Sequence, residues 1–404
     1  MQTLPGFRDF YPEDCARRNY ILTKWREVAR RYGFVEYDGP VLEPLALYEK
    51  KSGGELVGQL FDFVDKGERH VAMRPEMTPT LARMVAARER DFKKPMKWFC
   101  VPQFFRYEKQ QRGRLREFYQ LNCDIVGETS PAADAELLAV QIDMLRACAL
   151  TESDFVVRLS SRSAWAEFFV QHGGREEDEY ELFQIVDKVE RIPAEKTDEA
   201  LQKFGLTSEQ VLAFMRSKAP TAELAPILDD LNARGLGAFV EIDYAIVRGL
   251  AYYTGVVFEA FDVKGEFRAI AGGGRYNNLL KLISDGKVDL PALGFGMGDV
   301  VLLELLKSRK LLPEFTANVD AFVLIEDEAL RADSLRVIQR LREAGKVVEF
   351  SLTPTKGDKQ FKRALELKAK QTVRLERGAD GVLVAKVKNL GTREETTCAP
   401  DAAM

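Results

Sequence analysis

Apolar residues recur at helical spacing through residues 14–32, where Ile21, Trp25, Val28 and Tyr32 are interleaved with lysine and arginine. That period predicts an amphipathic helix, stopped at Gly33. The next segment, FVEYDGPVLEP, reads as a strand carrying Pro40; a proline there belongs at an edge or an end, where its missing N–H is not needed. Residues 96–126 read as two strands around the polar turn KQQRGR. Residues 160–235 are charged and helical, with breaks at GGREEDEYE and KAPTAELAP, and read as an insertion. Strands return at AFVEIDYAIV and GVVFEAFDV, followed by the glycine turn AGGGRYNNLL. The apolar LGFGMGDVVLLELLKSRKLL reads as strand, turn and helix.

A boundary is expected within residues 309–320. Beyond it the pattern becomes strand AFVLI, helix EALRADSLRVIQRLREAG, strand KVVEFSL and helix DKQFKRALELKA. Such alternation predicts a small α/β domain with a partly parallel sheet. The division is therefore a first domain over 1–312 and a second over 319–404, without internal repeats.

Composition narrows the function. A chain of 404 residues, 46% hydrophobic and 30% charged, is ordinary for a globular protein with more than one core. Its net charge of −4 means that a nucleic-acid partner would have to be met by a local basic patch. The five cysteines are odd in number and never spaced as CxxC, which argues against a disulfide framework or a zinc site. With two histidines, His70 and His172, there is little material for histidine-based metal binding or catalysis, and no metal site is expected. No signal-peptide pattern opens the chain and no apolar run reaches membrane-spanning length, so a cytoplasmic protein without a membrane partner is expected.

Against that acidic background, FRYEKQQRGRLREFYQLNCD gathers five basic residues, Arg106 included, among aromatics. Side chains on a strand alternate between faces. Arg116, Phe118, Gln120, Asn122 and Asp124 share one face; Leu115, Glu117, Tyr119, Leu121, Cys123 and Ile125 share the other. Arg106 and Glu108 have matching parity on the preceding strand. A mainly apolar face suits a helix layer, and the polar one offers guanidinium forks for phosphate or carboxylate oxygens and a ring for a base. A solvated face laced with ion pairs is the competing interpretation.

Three further segments stand out. RGLAYYTG sets Arg248 beside Tyr252 and Tyr253, flat walls with polar tips, or else half-buried core tyrosines with a surface arginine. AGGGRY joins a strand to a helix, where glycines allow close backbone approach and a helix N-terminus favours an anion, or where they only make a tight turn. It is neither GxGxxG nor a P-loop. MRPEMTPTLARM sets Glu76 and Thr78 at a proline-fixed turn, as cation ligands or simply as caps of the following helix.

In this order and combination, the segments resemble class II aminoacyl-tRNA synthetases, the histidyl-tRNA synthetases most closely. LPGFRDFYP and the helix through GPVLEP resemble the N-terminal region and motif 1, with Pro40 at a dimer interface. FRYEKQQRGRLREFYQLNCDIVG resembles motif 2. RGLAYYTGVVFEA and AGGGRY resemble the two histidine-specific segments, and PALGFGMGDV occupies the place of motif 3. The resemblance implies an α+β catalytic domain, an antiparallel sheet flanked by helices with a helical insertion, plus a small C-terminal α/β anticodon-binding-like domain, in a homodimer. It implies ATP with Mg²⁺, L-histidine and tRNA(His) as partners: histidine and ATP form histidyl-adenylate, and the histidyl group then moves to tRNA.

Residue by residue, the resemblance places Arg106 and Arg248 at the reacting carboxylate and α-phosphate. Glu108, Arg114 and Phe118 would join Arg106 in holding ATP. Glu76, Thr78 and Gln120 would take the amino group; Asp124, Tyr252 and Tyr253 would shape the imidazole pocket. Gln111 and Arg116 would face the tRNA acceptor end. The chain departs from the family at three places. Val301 stands where motif 3 has its arginine, leaving the γ-phosphate without that contact unless another cation supplies it. Ala251 stands where an acidic residue precedes the tyrosine pair, and Asn277 where aspartate is usual. The C-terminal domain ends early, although its basic run (Lys356, Lys359, Lys362, Arg363, Lys368, Lys370, Arg374, Arg377) could meet anticodon phosphates or be a solvated face.

Two functions follow: an active histidine–tRNA ligase, or a catalytically idle relative such as the histidine-sensing regulatory subunit of ATP phosphoribosyltransferase. Such relatives typically lose the arginine matching Arg248 and the C-terminal domain. Both are present in this chain, which favours the enzyme; the missing motif 3 arginine favours the alternative.

Overall fold

A computed structural model describes residues 2–51, 58–109, 111, 113–186, 189, 192–247, 253–315, 319–378 and 380–402. The chain forms two compact units, 1–312 and 313–404. Gly33, Gly113 and Gly127 are among the glycines with positive φ, where side-chain-bearing residues are strained.

The first unit is organised by one long strand, β7 (Glu117–Val126), the segment with the clean two-face alternation. Around it a nine-stranded sheet runs in the order β1 (Val35–Glu36), β5 (Met96–Cys100), β7, β12 (Ala292–Gly298), β11 (Ala271–Arg275), β10 (Val256–Asp262), β8 (Phe155–Ser161), β9 (Val240–Ile242). Short β6 (Gln103–Phe105) pairs with the start of β7. From β5 to β8 every pairing is antiparallel, while the outer strands β1 and β9 pair in parallel. The sheet is thus antiparallel at its centre and mixed at its edges.

One face carries Leu121, Cys123 and Ile125 of β7 and Leu293, Phe295 and Met297 of β12, all buried against Ile21, Trp25 and Val28 of the Pro12–Arg31 helix and Leu138, Ile142 and Leu145 of the Pro131–Arg146 helix. Burying each such side chain contributes about 1.5–3 kcal/mol. The helices between Arg162 and Ala233 add Leu182, Leu201, Val211, Ile227 and Leu231 to that same core. Across the sheet a smaller cluster, including Leu81, Val85, Val126, Val257, Leu279 and Ala292, closes one end of the opposite face, and Met77, Cys100 and Phe104 pack with Phe118 further along it.

Two sequence expectations change. The stretch around Pro40 is not one strand: β1 ends at Glu36, β2 (Leu42–Pro44) belongs to a separate three-stranded sheet with β4 (His70–Met73) and β3 (Asp62–Val64), and Pro40 lies between them. AGGGRY is not a turn. Ala271–Arg275 is the strand β11 in the middle of the sheet. A Cβ on Gly273 would lie 2.3 Å from Gly294 O, and one on Gly274 would lie 2.6 Å from Val256 O. Neighbouring strands leave no volume for side chains there. The helix that follows does not begin until Leu279.

The second unit holds a five-stranded sheet in the order β14 (Val348–Phe350), β13 (Ala321–Leu324), β15 (Gln371–Arg377), β16 (Leu383–Asn389), β17 (Glu395–Cys398), parallel across the first three strands and antiparallel beyond. The Arg331–Glu343 and Gly357–Glu366 helices pack on it through Val337, Ile338, Leu341 and Ala364. Among the described residues, no helix is long and apolar enough to cross a membrane.

Candidate active site

The polar face of β7 opens as a trough because its neighbour has no side chains there. Gly294, Gly296 and Gly298 of β12 stand opposite Asp124, Asn122 and Gln120, and Gly274 and Gly272 of β11 continue the rows through Gly294 and Gly296. The fit is tight: a Cβ on Gly294 would sit 2.1 Å from Asp124 Oδ1, and one on Gly296 would sit 2.3 Å from Gln120 Nε2. Glycine on a central strand weakens it, and a close approach by another group is the usual reason for it.

At the closed end, Asp124 is only 5% exposed and accepts a hydrogen bond from the Tyr276 hydroxyl. Tyr253 is buried beside them, its ring 2.9 Å from the position a Gly274 Cβ would take. Burial pushes the thiols of Cys100 and Cys123 well above their ordinary range, and the charge of Asp124 adds to the shift. These cysteines are therefore poor nucleophiles.

Midway along, Gln120 donates to Asn122 Oδ1 at 2.8 Å. Beyond it Phe118 pairs with Phe104, and the ladder continues past the strand, with Arg106 N donating to Arg116 O at 2.9 Å. Arg106 is held twice. Its Nε donates to Pro75 O at 2.9 Å, and its guanidinium lies 5.2 Å from the Phe118 ring centroid. With Nε engaged, the outer nitrogens of the fork are aimed rather than free to swing. Glu108, 4.0 Å from Arg106 Nη1, pairs with Arg114 at 2.8 Å. Glu76, buried, follows Pro75, and Thr78 opens the Thr78–Arg88 helix; the residue at that helix's N-cap, Met77, makes no side-chain cap.

The structure therefore brings Arg106, Glu108, Arg114 and Phe118 together at one end of the β7 face that carries Gln120 and Asp124, with Tyr253 at its closed end; Glu76 and Thr78 follow Pro75, which Arg106 holds. Arg116 points differently: its guanidinium lies 4.0 Å from the Tyr107 ring centroid and its Nε donates to Glu108 O at 3.3 Å. Gln111 is exposed at the turn, bridged to Arg114. Arg248, Tyr252 and Ala251 lie outside the described residues.

Three features of this face go beyond the residues that the sequence singles out. The glycines of β12 are spaced every second residue, a strand signal hidden inside an apolar run. Tyr276 reaches an aspartate 152 residues away. Arg268, in the loop between β10 and β11, comes to the motif 2 turn: a Cβ on Gly113 would lie 3.3 Å from Val301 Cγ2 and 3.9 Å from Arg268 Cδ. Nothing in the spacing of the sequence marks it. Asn277 donates its backbone N–H to Thr254 Oγ1 at 3.1 Å, while its side-chain oxygen is buried with no hydrogen-bond partner among the described residues.

An antiparallel sheet with helices on one face and an arginine-edged, glycine-floored trough on the other defines a class II aminoacyl-tRNA synthetase catalytic domain. The family model for histidyl-tRNA synthetase matches residues 6–299. A histidine–tRNA ligase from Opitutus terrae is 45% identical, with 98% of this chain and 95% of that protein covered. The chloroplastic/mitochondrial histidine–tRNA ligase of Arabidopsis thaliana is 38% identical over 96% of this chain and 83% of its own length. The crystal structure of histidyl-tRNA synthetase from Nostoc sp. PCC 7120 superposes with a TM-score of 0.81 at 24% identity, covering 100% of this chain and 97% of that one. The chain belongs to the histidyl-tRNA synthetase family. A chain from Bacillus halodurans described as an ATP phosphoribosyltransferase regulatory subunit/histidyl-tRNA synthetase shares the fold, with a TM-score of 0.75 at 21% identity over 92% of this chain and 97% of that one.

Proposed function

We propose that this chain is an active histidine–tRNA ligase, which joins L-histidine to tRNA(His) at the expense of ATP. The observation that carries the reading is the fixed Arg106 fork at the edge of a trough whose far end is the buried Asp124–Tyr276 pair. In the first step a histidine carboxylate oxygen attacks the α-phosphorus while the bond to the β-phosphate breaks and pyrophosphate leaves. An anion must approach a polyanion, so the barrier is one of charge. A guanidinium that cannot deprotonate, held in place beforehand, lowers it. In the second step a terminal ribose hydroxyl of tRNA attacks the carbonyl and AMP leaves.

Along the trough, Asp124 would accept from an imidazole N–H, oriented by the Tyr276 hydroxyl, with Tyr253 and Tyr252 as walls. Gln120, Glu76 and Thr78 would meet the amino group. Arg106 and Arg248 would take the carboxylate and α-phosphate, Phe118 would stack on adenine, and Glu108 and Arg114 would hold the rest of ATP. Gln111 and Arg116 stand at the turn where the acceptor end would arrive. Mg²⁺ would enter with the triphosphate, held mainly by phosphate oxygens and water, as its geometry favours.

Two further parts belong to this reading. Val35, Val41, Leu42, Phe63 and Val64 are exposed apolar residues on β1–β3 and the turn between them, a surface suited to a second copy in a homodimer. The unit 313–404 would bind the anticodon: a groove of about 280 Å³ is lined by Phe361, Arg374, Lys386 and Lys388 together with Glu326, Asp358 and Glu395, and Lys388 lies 5.6 Å from the Phe361 ring centroid, a cation-and-ring pair that suits bases. Against this, Arg374 is paired with Glu326 and Glu376, and Lys370 with Asp320, so part of the basic run is a salt-bridged face. A cytoplasmic site of action fits such an enzyme.

The test is histidine-dependent ATP–pyrophosphate exchange. Exchange with the whole chain supports the ligase; histidine binding without exchange at any ATP concentration would leave the regulatory alternative standing. In the same preparation, Lys388→Ala should raise the KM for tRNA severalfold and leave exchange unchanged. Equal tRNA kinetics would remove the groove from the reading.

Gly296→Ala probes the trough floor. The nearest neighbours of the added Cβ are side-chain atoms of Gln120 and Asn122, so the substitution displaces Gln120 without forcing the strands apart. The KM for histidine should rise about tenfold, the loss of one or two hydrogen bonds to a charged group, with the melting temperature little changed. An unaltered histidine KM would exclude Gln120 from the amino-acid site.

A further inference from the structure

We propose that Arg268 binds the β,γ-phosphate end of ATP together with Arg114, supplying the cation that Val301 does not. The inference rests on the ligase reading and extends it to a residue that no motif contains.

The register of the sheet fixes the place. Ala271, the first residue of β11, pairs with Met297, and Met297 pairs with Leu121. The loop before β11 therefore stands at the Phe118–Gln120 end of the trough, opposite the Asp124 end. Within that loop Arg268 is exposed, and its Nη1 is 3.5 Å from Gln111 Oε1 at the tip of the turn that carries Arg114. Its stem and Val301 both border Gly113. Arg268 thus reaches from another strand connection into the space beside Val301.

The charge balance there is unfinished. Among the described residues, Arg106, Arg114 and Arg268 gather around Glu108, and Glu108 already pairs with Arg114 at 2.8 Å. Arg268 is held below the ordinary guanidinium range, first by partial burial and then by the charge of Arg114, with Glu108 opposing. The acids before Arg268 in this connection are occupied elsewhere: Arg309 pairs with Asp262 and with Glu266 at 3.1 Å, and also with Asp154, just before β8, at 3.3 Å. That clamp also steadies the loop, since Glu266 N donates to Asp262 Oδ2 at 2.8 Å. Three guanidinium groups that share one carboxylate still repel, and a polyphosphate between the Arg114 and Arg268 forks relieves the repulsion by charge-assisted hydrogen bonds. A nucleotide monophosphate, ending at the Arg106 position, would not reach them.

The test compares ATP with AMP on the full chain by isothermal titration calorimetry, with exchange kinetics alongside. Arg268→Ala should lower the ratio of ATP to AMP affinity by about tenfold, the share of one charge-assisted contact at an exposed site. It should raise the KM for ATP and for pyrophosphate in step and leave AMP and histidine binding unchanged. Arg268→Lys should recover part of the ratio, because it restores charge without the fork. An unchanged ratio in Arg268→Ala overturns the proposal, as does an equal loss of ATP and AMP binding. Failure of the ligase reading would appear separately, as absence of exchange in the unaltered protein.

Discussion

Replacing Arg106 with alanine should lower the rate of ATP–pyrophosphate exchange by about a hundred- to a thousandfold, about 3–4 kcal/mol of transition-state stabilisation. The size follows from how the side chain is held. Pro75 O takes its Nε and the Phe118 ring supports its plane, so the remaining donors need no reorganisation when negative charge builds on the α-phosphate. Arg106→Lys should recover little, because an ammonium cannot keep the Pro75 contact, the ring contact and a two-point grip at once. The loss should fall mainly on kcat, with the KM for histidine rising far less. A decrease under tenfold would mean that the reacting phosphate is stabilised elsewhere.

The second large effect is on stability. Arg8 Nε donates to Glu117 Oε1 at 2.7 Å and its Nη1 to Asp299 Oδ2 at 2.9 Å, while both carboxylates are 2% exposed. Asp299 also accepts from Tyr119 N at 3.0 Å, and Gly6 O accepts from Arg116 N at 3.0 Å. The N-terminal segment thereby ties the start of β7 to the Asp299–Ser308 helix. Arg8→Ala would strand two buried carboxylates and should remove about 3 kcal/mol from the unfolding free energy at pH 7.

The pH dependence gives a sign to check. Burial already raises the carboxyl of Asp299 above its ordinary range, with Arg8 opposing. Removing Arg8 raises it further. A carboxyl raised in the folded state contributes stability that is fully present below its unfolded value, about 4, and lost as pH rises through the folded one. The deficit of Arg8→Ala should therefore be small in acid and grow towards neutrality, as measured by urea unfolding across that range. A deficit independent of pH would assign the effect to packing instead.

These sites also mark what a linear reading can reach. The alternation of β7 was legible because side-chain period is a local property: Leu121, Cys123 and Ile125 went to the helices and Gln120, Asn122 and Asp124 to the trough, as their parity required. The order of segments was enough to identify the antiparallel centre of the sheet. The glycines of β11 read as a turn in the sequence, since three in a row carry that signal; only Val256 O and Gly294 O on either side make them a strand. Around Pro40 two short strands, bound for different sheets, read as one in the sequence. Arg8–Asp299, Tyr276–Asp124 and Arg268–Gln111 join residues far apart in the chain, so no period or motif announces them. Arg248 and Tyr252 fall outside the described residues, and their part in the site rests on resemblance.

The bare strip made by Gly272, Gly274, Gly294, Gly296 and Gly298 has a consequence for the enzyme's own architecture. Helices back the sheet on one side, while over these rows the other side is met, among the described residues, by single side chains, Gln120, Asp124 and the Tyr253 ring, and not by a matching layer. An amino acid and a nucleotide lying there would serve as that absent layer, so substrates would complete the sandwich as well as react in it.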